Sequence, residues 1–155
     1  NVISDFAPSQ REVITQKGYY RILSVLLNVV DSGTGSRLRR PPYSLTAQTG
    51  GKTGTTNDNA DGWFMAFTPD LVSGTWVGGD ERYIHFNSMA NGQGAAMALP
   101  IYGKFISKVY ADPELHYSQK ARFEIPEGID ICDGETPVQE ERPETVEETI
   151  SGAFD

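Results

Sequence analysis

Gly51-Lys52-Thr53-Gly54-Thr55-Thr56 puts one cation, three hydroxyls and a stretch of bare backbone into six residues. In an extended strand side chains alternate, so Lys52 and Gly54 share one side and Thr53 and Thr55 the other. A twisted sheet edge can bring a lysine and two hydroxyls near one anionic group. Gly54 has no Cβ and lets a ligand lie flat against the chain. That set suits recognition of a carboxylate beside a reacting carbonyl. A Gly-rich turn with a solvated lysine is the plainer reading of the same letters.

Other chemistries fit less well. A phosphate loop needs a glycine six positions before the lysine, where Thr46 stands, and a helix directly after the threonine. A strand is expected there instead. His85 and His116 lie far apart without Cys or acidic partners at ligand spacing, so no metal site and no cofactor is expected, and both read as surface or loop histidines. The basic cluster Arg37, Arg39 and Arg40 suits either an anionic polymer or, more simply, a solvated loop.

The elements that must position these residues follow from periodicity. Tyr19, Ile22, Leu23, Leu26, Leu27 and Val30 have the spacing of one buried face and predict a helix over 18–30. Asp31-Ser32-Gly33 ends it, with Gly33 expected in the left-handed region. Three strands follow: one carrying the Lys-Thr-Gly run, then 61–67, then 72–79. The Thr68-Pro69-Asp70 turn makes the last two an antiparallel hairpin. Apolar residues on both faces of 61–67 predict a sheet covered at least partly on both sides. Residues 80–94 read as a loop. From about 95 to 110 a second helix is expected, with Met97, Ile101, Phe105 and Val109 recurring every four residues, Ala98, Tyr102 and Ile106 beside them, and Pro100 in the first turn or at a kink. Helix, three antiparallel strands and helix give an α+β class.

Composition bounds the rest. Of 155 residues, 1–123 carry 12 bases and 10 acids, whereas 124–155 carry 11 acids and one base. The body is nearly neutral and the acidity belongs to a tail, expected to be disordered for want of apolar residues. The balance argues against nucleic acid as a partner. A lone Cys132 excludes an internal disulfide. No run of about 18 apolar residues marks a membrane span, and a first residue of Asn fits a fragment or a processed product.

Read together, the segments are more specific. Gly51-Lys52-Thr53-Gly54-Thr55-Thr56-Asn57-Asp58, then Asp61-Gly62-Trp63-Phe64 with Thr68-Pro69, then Gly74-Thr75-Trp76-Val77-Gly78, closely resemble the transpeptidase domain of class A (bifunctional) penicillin-binding proteins. Gly33-Thr34-Gly35-Ser36 and Ala98-Leu99-Pro100-Ile101-Tyr102 fit the same family in the same order. The resemblance covers about residues 18–110. It implies part of the fold shared with serine β-lactamases, with residues 1–123 as the C-terminal portion of the domain and 124–155 as a tail.

By the same resemblance, the activity is that of a serine D-Ala-D-Ala transpeptidase of peptidoglycan synthesis. It works through an acyl-enzyme and also binds penicillin and other β-lactams. Lys52 and Thr55 are the implied catalytic residues, Lys52 supplying charge and the Thr55 backbone N–H an oxyanion-hole donor, the loss of which typically costs about 10²–10³ in rate. Thr53, Gly54, Thr55 and Thr56 are the implied substrate-binding residues. The family also needs a Ser-x-x-Lys nucleophile and a Ser-x-Asn motif, and no serine here is followed by either. The chain alone is therefore expected to be inactive, with its nucleophile, and a membrane anchor on the outer, periplasmic face of the cytoplasmic membrane, upstream. Self-association through an exposed sheet is the expected consequence. A non-catalytic carboxylate- or peptide-binding module is the alternative.

Overall fold

The computed structural model describes residues 11–125. Cys132 and all of the acidic tail beyond Ile125 lie outside that range. The described residues form an α+β arrangement in which helices pack on one three-stranded sheet.

Helix α1 (Gln16–Asp31) starts where Thr15, in extended backbone, accepts a hydrogen bond from the Gly18 N–H at 3.2 Å, an N-cap that satisfies one orphan donor. Its buried residues are Tyr20, Leu23 and Val30, not the whole expected stripe. Leu26 and Leu27 are half-buried, and Tyr19 and Ile22 stand about half exposed. Leu23, Leu26, Leu27 and Val30 of the expected stripe do turn inward, and at its N-terminal end Tyr20 is buried in place of Tyr19 and Ile22. The Tyr20 hydroxyl donates to the Glu124 carbonyl of the C-terminal segment at 2.9 Å.

The helix ends as expected, by another means. Gly33 does not take a left-handed φ; its N–H donates to Asn28 O at 2.9 Å, and a Cβ there would sit 2.9 Å from the Val29 Cα. Close approach, not handedness, calls for glycine. A 3₁₀ turn (Ser36–Arg39) follows and buries Leu38. Arg39 is not a solvated loop residue: its Nη1 donates to Leu45 O at 2.8 Å and Ala47 O at 2.7 Å, and its Nε to Asp31 at 3.0 Å.

The sheet runs β1 (Gly50–Thr55), β2 (Asp61–Phe67), β3 (Val72–Gly78) in that order, all antiparallel. Thr53 pairs with Phe64 and Phe64 with Thr75, while Lys52 pairs with Met65 and Trp63 with Trp76. One face thus carries Gly51, Thr53, Thr55, Phe64 and Ala66, and the other Lys52, Gly54, Trp63, Met65 and Trp76. Phe64 is 0% exposed and Trp63 43%. Among the described residues the Phe64 face is the buried one. On the other face Phe67 is half-buried against Phe123 while Trp63, Met65 and Trp76 stand exposed, so that side is covered only in part, as expected.

The predicted loop 80–94 contains a short helix, α2 (Met89–Gly92). The second long helix is two pieces, α3 (Gly94–Met97) and α4 (Leu99–Ala111), with Pro100 in the first turn of α4. Proline has no N–H to continue the α3 ladder, so the chain breaks there. Buried positions on α4 are Leu99, Tyr102, Gly103, Ile106 and Val109. Ile101 and Phe105, expected inside, are 50% and 44% exposed. The adjacent Tyr102–Ile106 stripe is the one that packs into the core. Tyr102 meets Phe64 edge-on at 5.3 Å, and with Val30, Leu38 and Leu45 they share one core.

Residues 116–125 return to the body. Gln119 Oε1 accepts from Thr46 N–H at 2.9 Å, Gln48 Oε1 accepts from Phe123 N–H at 2.8 Å, and the Phe123 ring meets Phe67 at 5.7 Å.

Candidate carboxylate-binding site

β1 pairs with β2 on one side only; among the described residues its other edge is open. Which backbone groups face that edge follows from the ladder. The Thr56 N–H donates to Asp61 O at 3.0 Å, so Thr56 and Asp61 are a hydrogen-bonded pair. In an antiparallel ladder such pairs alternate, so Thr55–Gly62 and Thr53–Phe64 are non-hydrogen-bonded pairs. Thr53 and Thr55 therefore direct their own N–H and C=O groups away from β2. Lys52 uses this: its Nζ donates to the outward Thr53 carbonyl at 2.7 Å.

The hydroxyls are each held from behind. Thr55 Oγ1 accepts from the Gly94 N–H at 3.0 Å. A hydroxyl has one proton and two lone pairs, so an acceptor bond on this side leaves its proton for a ligand. Thr53 Oγ1 lies 3.2 Å from Thr34 Oγ1. Two hydroxyls sharing one hydrogen bond keep one proton to spare. Lys52 retains two further N–H donors. The Thr53 and Thr55 N–H groups thus face the open edge, and their hydroxyls stand on one face beside it. Lys52 reaches the edge from the other face at the Thr53 carbonyl, completing a set of donors that suits a carboxylate.

Thr56 has a different local job. Its Oγ1 accepts from Asp61 N–H at 2.8 Å and donates to Asp61 Oδ2 at 3.2 Å. Trp76 Nε1 donates to the other carboxylate oxygen at 3.0 Å. This knot closes the β1–β2 turn, where Asp58 and Asn59 take left-handed φ of 61° and 57°, a conformation that Asn and Asp tolerate.

Two residues here escape single-motif reading. Thr34 arrives from the loop after α1, and only its Gly-Thr-Gly setting marks it. Gly94 sits where an added Cβ would overlap the carbonyl oxygens of Gly54 and Trp63, and the small-residue run Gly94-Ala95-Ala96 is its only signal. His85 and His116 are exposed and well away from β1 in sequence. Among the described residues no three of His, Cys, Asp and Glu cluster to hold a metal.

Sequence comparison adds the decisive observation. The chain is 36% identical over 113 residues to penicillin-binding protein 1A of Rickettsia bellii, 34% over 113 to that of Pseudomonas aeruginosa, and 30% over 130 to that of Neisseria gonorrhoeae. This chain is homologous to part of a class A penicillin-binding protein. The matches cover 72–83% of the chain. The chain spans only 13–15% of the length of those penicillin-binding proteins. A crystal structure of penicillin-binding protein 1A from Haemophilus influenzae superposes with a TM-score of 0.57 at 24% identity, covering 74% of this chain and 16% of that one. The α+β arrangement is thus part of that fold. No protein-family model matches the chain. No helix among the described residues is long and apolar enough to cross a membrane.

Proposed function

We propose that this chain carries the carboxylate-binding strand of a peptidoglycan D,D-transpeptidase of the penicillin-binding kind. The observation that carries the reading is the set of donors on β1, backed by Thr34 and Gly94. Thr53 and Thr55 hold the terminal carboxylate of a D-Ala-D-Ala stem peptide or of a β-lactam. The outward Thr55 N–H supplies one oxyanion donor, and preorganised donors of this kind are effective because they cost no rearrangement at the moment of reaction. Lys52 contributes charge, Gly54 leaves room for the acyl chain, and Thr56 keeps the strand in place through Asp61.

The nucleophile belongs to other residues of the working enzyme, since no serine here has Lys at the third or Asn at the second following position. Residues 1–123 form the domain portion and 124–155 a tail. The working place is the periplasmic face of the cytoplasmic membrane, with an anchor elsewhere in the protein.

The test is a labelled penicillin added to the isolated chain. The amide signals of Thr53 and Thr55 shift on titration, and mass spectrometry shows no covalent adduct. A stoichiometric adduct refutes the inactivity, and unmoved β1 signals refute the binding role. A non-catalytic carboxylate- or peptide-binding module is the second reading, favoured by the missing serine motifs. A Ser-x-x-Lys encoded ahead of Asn1 decides for the enzyme, and a start codon there for the module.

A further inference from the structure

Behind the Thr34–Thr53 contact lies a groove of about 370 Å³. Thr34, Arg37 and Arg40 form one wall, and Ala90, Gln93 and Ala96 stand on the other. Of the basic cluster, Arg39 is committed to Asp31 and to two backbone carbonyls. Arg37 and Arg40 are exposed, and among the described residues neither guanidinium has an ion pair or a side-chain hydrogen bond. No acidic residue lines the groove.

Two guanidiniums directed into one groove repel each other unless an anion lies between them, and a guanidinium fork matches a carboxylate in bidentate geometry. Thr34 lines the groove and also meets Thr53 at 3.2 Å, so it is the side chain that links the groove to β1. Gln93 adds an amide able to donate from the opposite wall, one residue before the Gly94 that holds Thr55.

We infer that Thr34, Arg37 and Arg40 form a second anion subsite that takes a carboxylate of the peptide substrate. The inference rests on the functional reading above. The carboxylate has two sources: the chain terminus also reached by Thr53, or an acidic side chain carried further along the peptide. The small alanines opposite leave space for peptide backbone, whereas the three-donor fork is too deep in charge for an apolar ligand.

The test is binding of two peptides to the 155-residue chain, followed by calorimetry and by the arginine Nε resonances. One is N-acetyl-D-Ala-D-Ala, and the other is the same dipeptide extended by one acidic residue. Their affinities are compared among the unaltered chain, the double variant Arg37→Ala with Arg40→Ala, and the Lys double variant. Both arginines are exposed, so an unchanged thermal melt is expected in each. A tenfold or greater loss in the Ala variant, partly restored by Lys and erased by high salt, supports the subsite. If both peptides lose affinity, the terminal carboxylate is the ligand; if only the extended one does, the side chain is. Equal affinities in all three proteins overturn the subsite while leaving the β1 reading intact. No binding of either peptide to the unaltered chain overturns both.

Discussion

Tyr102 shows how one buried side chain ties the fold to pH. It is 1% exposed, against Phe64 and at the centre of the core. Burial pushes its phenol well above the ordinary value near 10, Tyr110 raises it further, and Arg39 partly opposes both. The folded chain therefore keeps a proton that the unfolded chain releases near pH 10. Stability is complete below that pH and falls above it, by at most about 1.4 kcal/mol per pH unit for one such group. Burial raises Tyr110 in the same direction. Tyr102→Phe should flatten the decline between pH 10 and 12 without abolishing it. Urea unfolding at pH 8 and pH 11 measures this, and an unaltered difference between the two pH values would contradict the account. At this scale the sequence was legible for Lys52, Thr53, Gly54 and Thr55, because strand alternation alone sets their faces. Thr34 and Gly94 were not legible as partners, since their contacts cross 19 and 39 residues of chain.

Helix α3 is the element that couples sheet and site. It is one turn long and gains little from its own ladder. Its position comes from Gly94 lying flat on β1 and β2, and from Met97 filling the space beside Gly62. Gly94→Ala would drive a methyl group into two backbone carbonyls that no rotamer can move. A loss of about 1–3 kcal/mol is expected, as for overpacked cores, together with displacement of the Thr55 hydroxyl. Thermal melting reads the first effect and the Thr55 amide shift the second. An Ala variant with unchanged melting would mean that α3 can slide without cost. The strands were legible nearly to the residue, because Asp61–Phe67 and Val72–Gly78 are bounded by a turn with its own chemistry: Thr68 N–H donates to Leu71 O at 2.8 Å, and Leu71 N–H returns to Thr68 Oγ1 at 3.1 Å. The helices were legible in extent and in part in facing: Leu23, Val30 and Val109 are buried as expected, whereas Tyr19, Ile22, Ile101 and Phe105 are not. Both α1 and α4 carry two adjacent apolar stripes, and only the packing partner selects between them.

At the scale of the described residues as a whole, the partly open face of the sheet matters most. Trp63, Met65, Val72 and Trp76 stand exposed on one side of a three-stranded sheet, and Tyr19, Ile22 and Val25 on one side of α1. Apolar groups gathered on one face and strand edges left unpaired favour association. Sedimentation of the chain at tens of micromolar, a working range for weak dimers, should show dimers or larger species. Lysine at both Met65 and Val72 should return it to monomer. A monomer in the unaltered chain would contradict this. The same face has an optical consequence. The chain has two tryptophans, and both lie there, ring centres 6.4 Å apart and tilted by 47°. Its intrinsic fluorescence is therefore a signal from one surface: a partner that covers the sheet should shift the emission to the blue, whereas repacking around Phe64 and Tyr102 on the other side should leave the colour nearly unchanged.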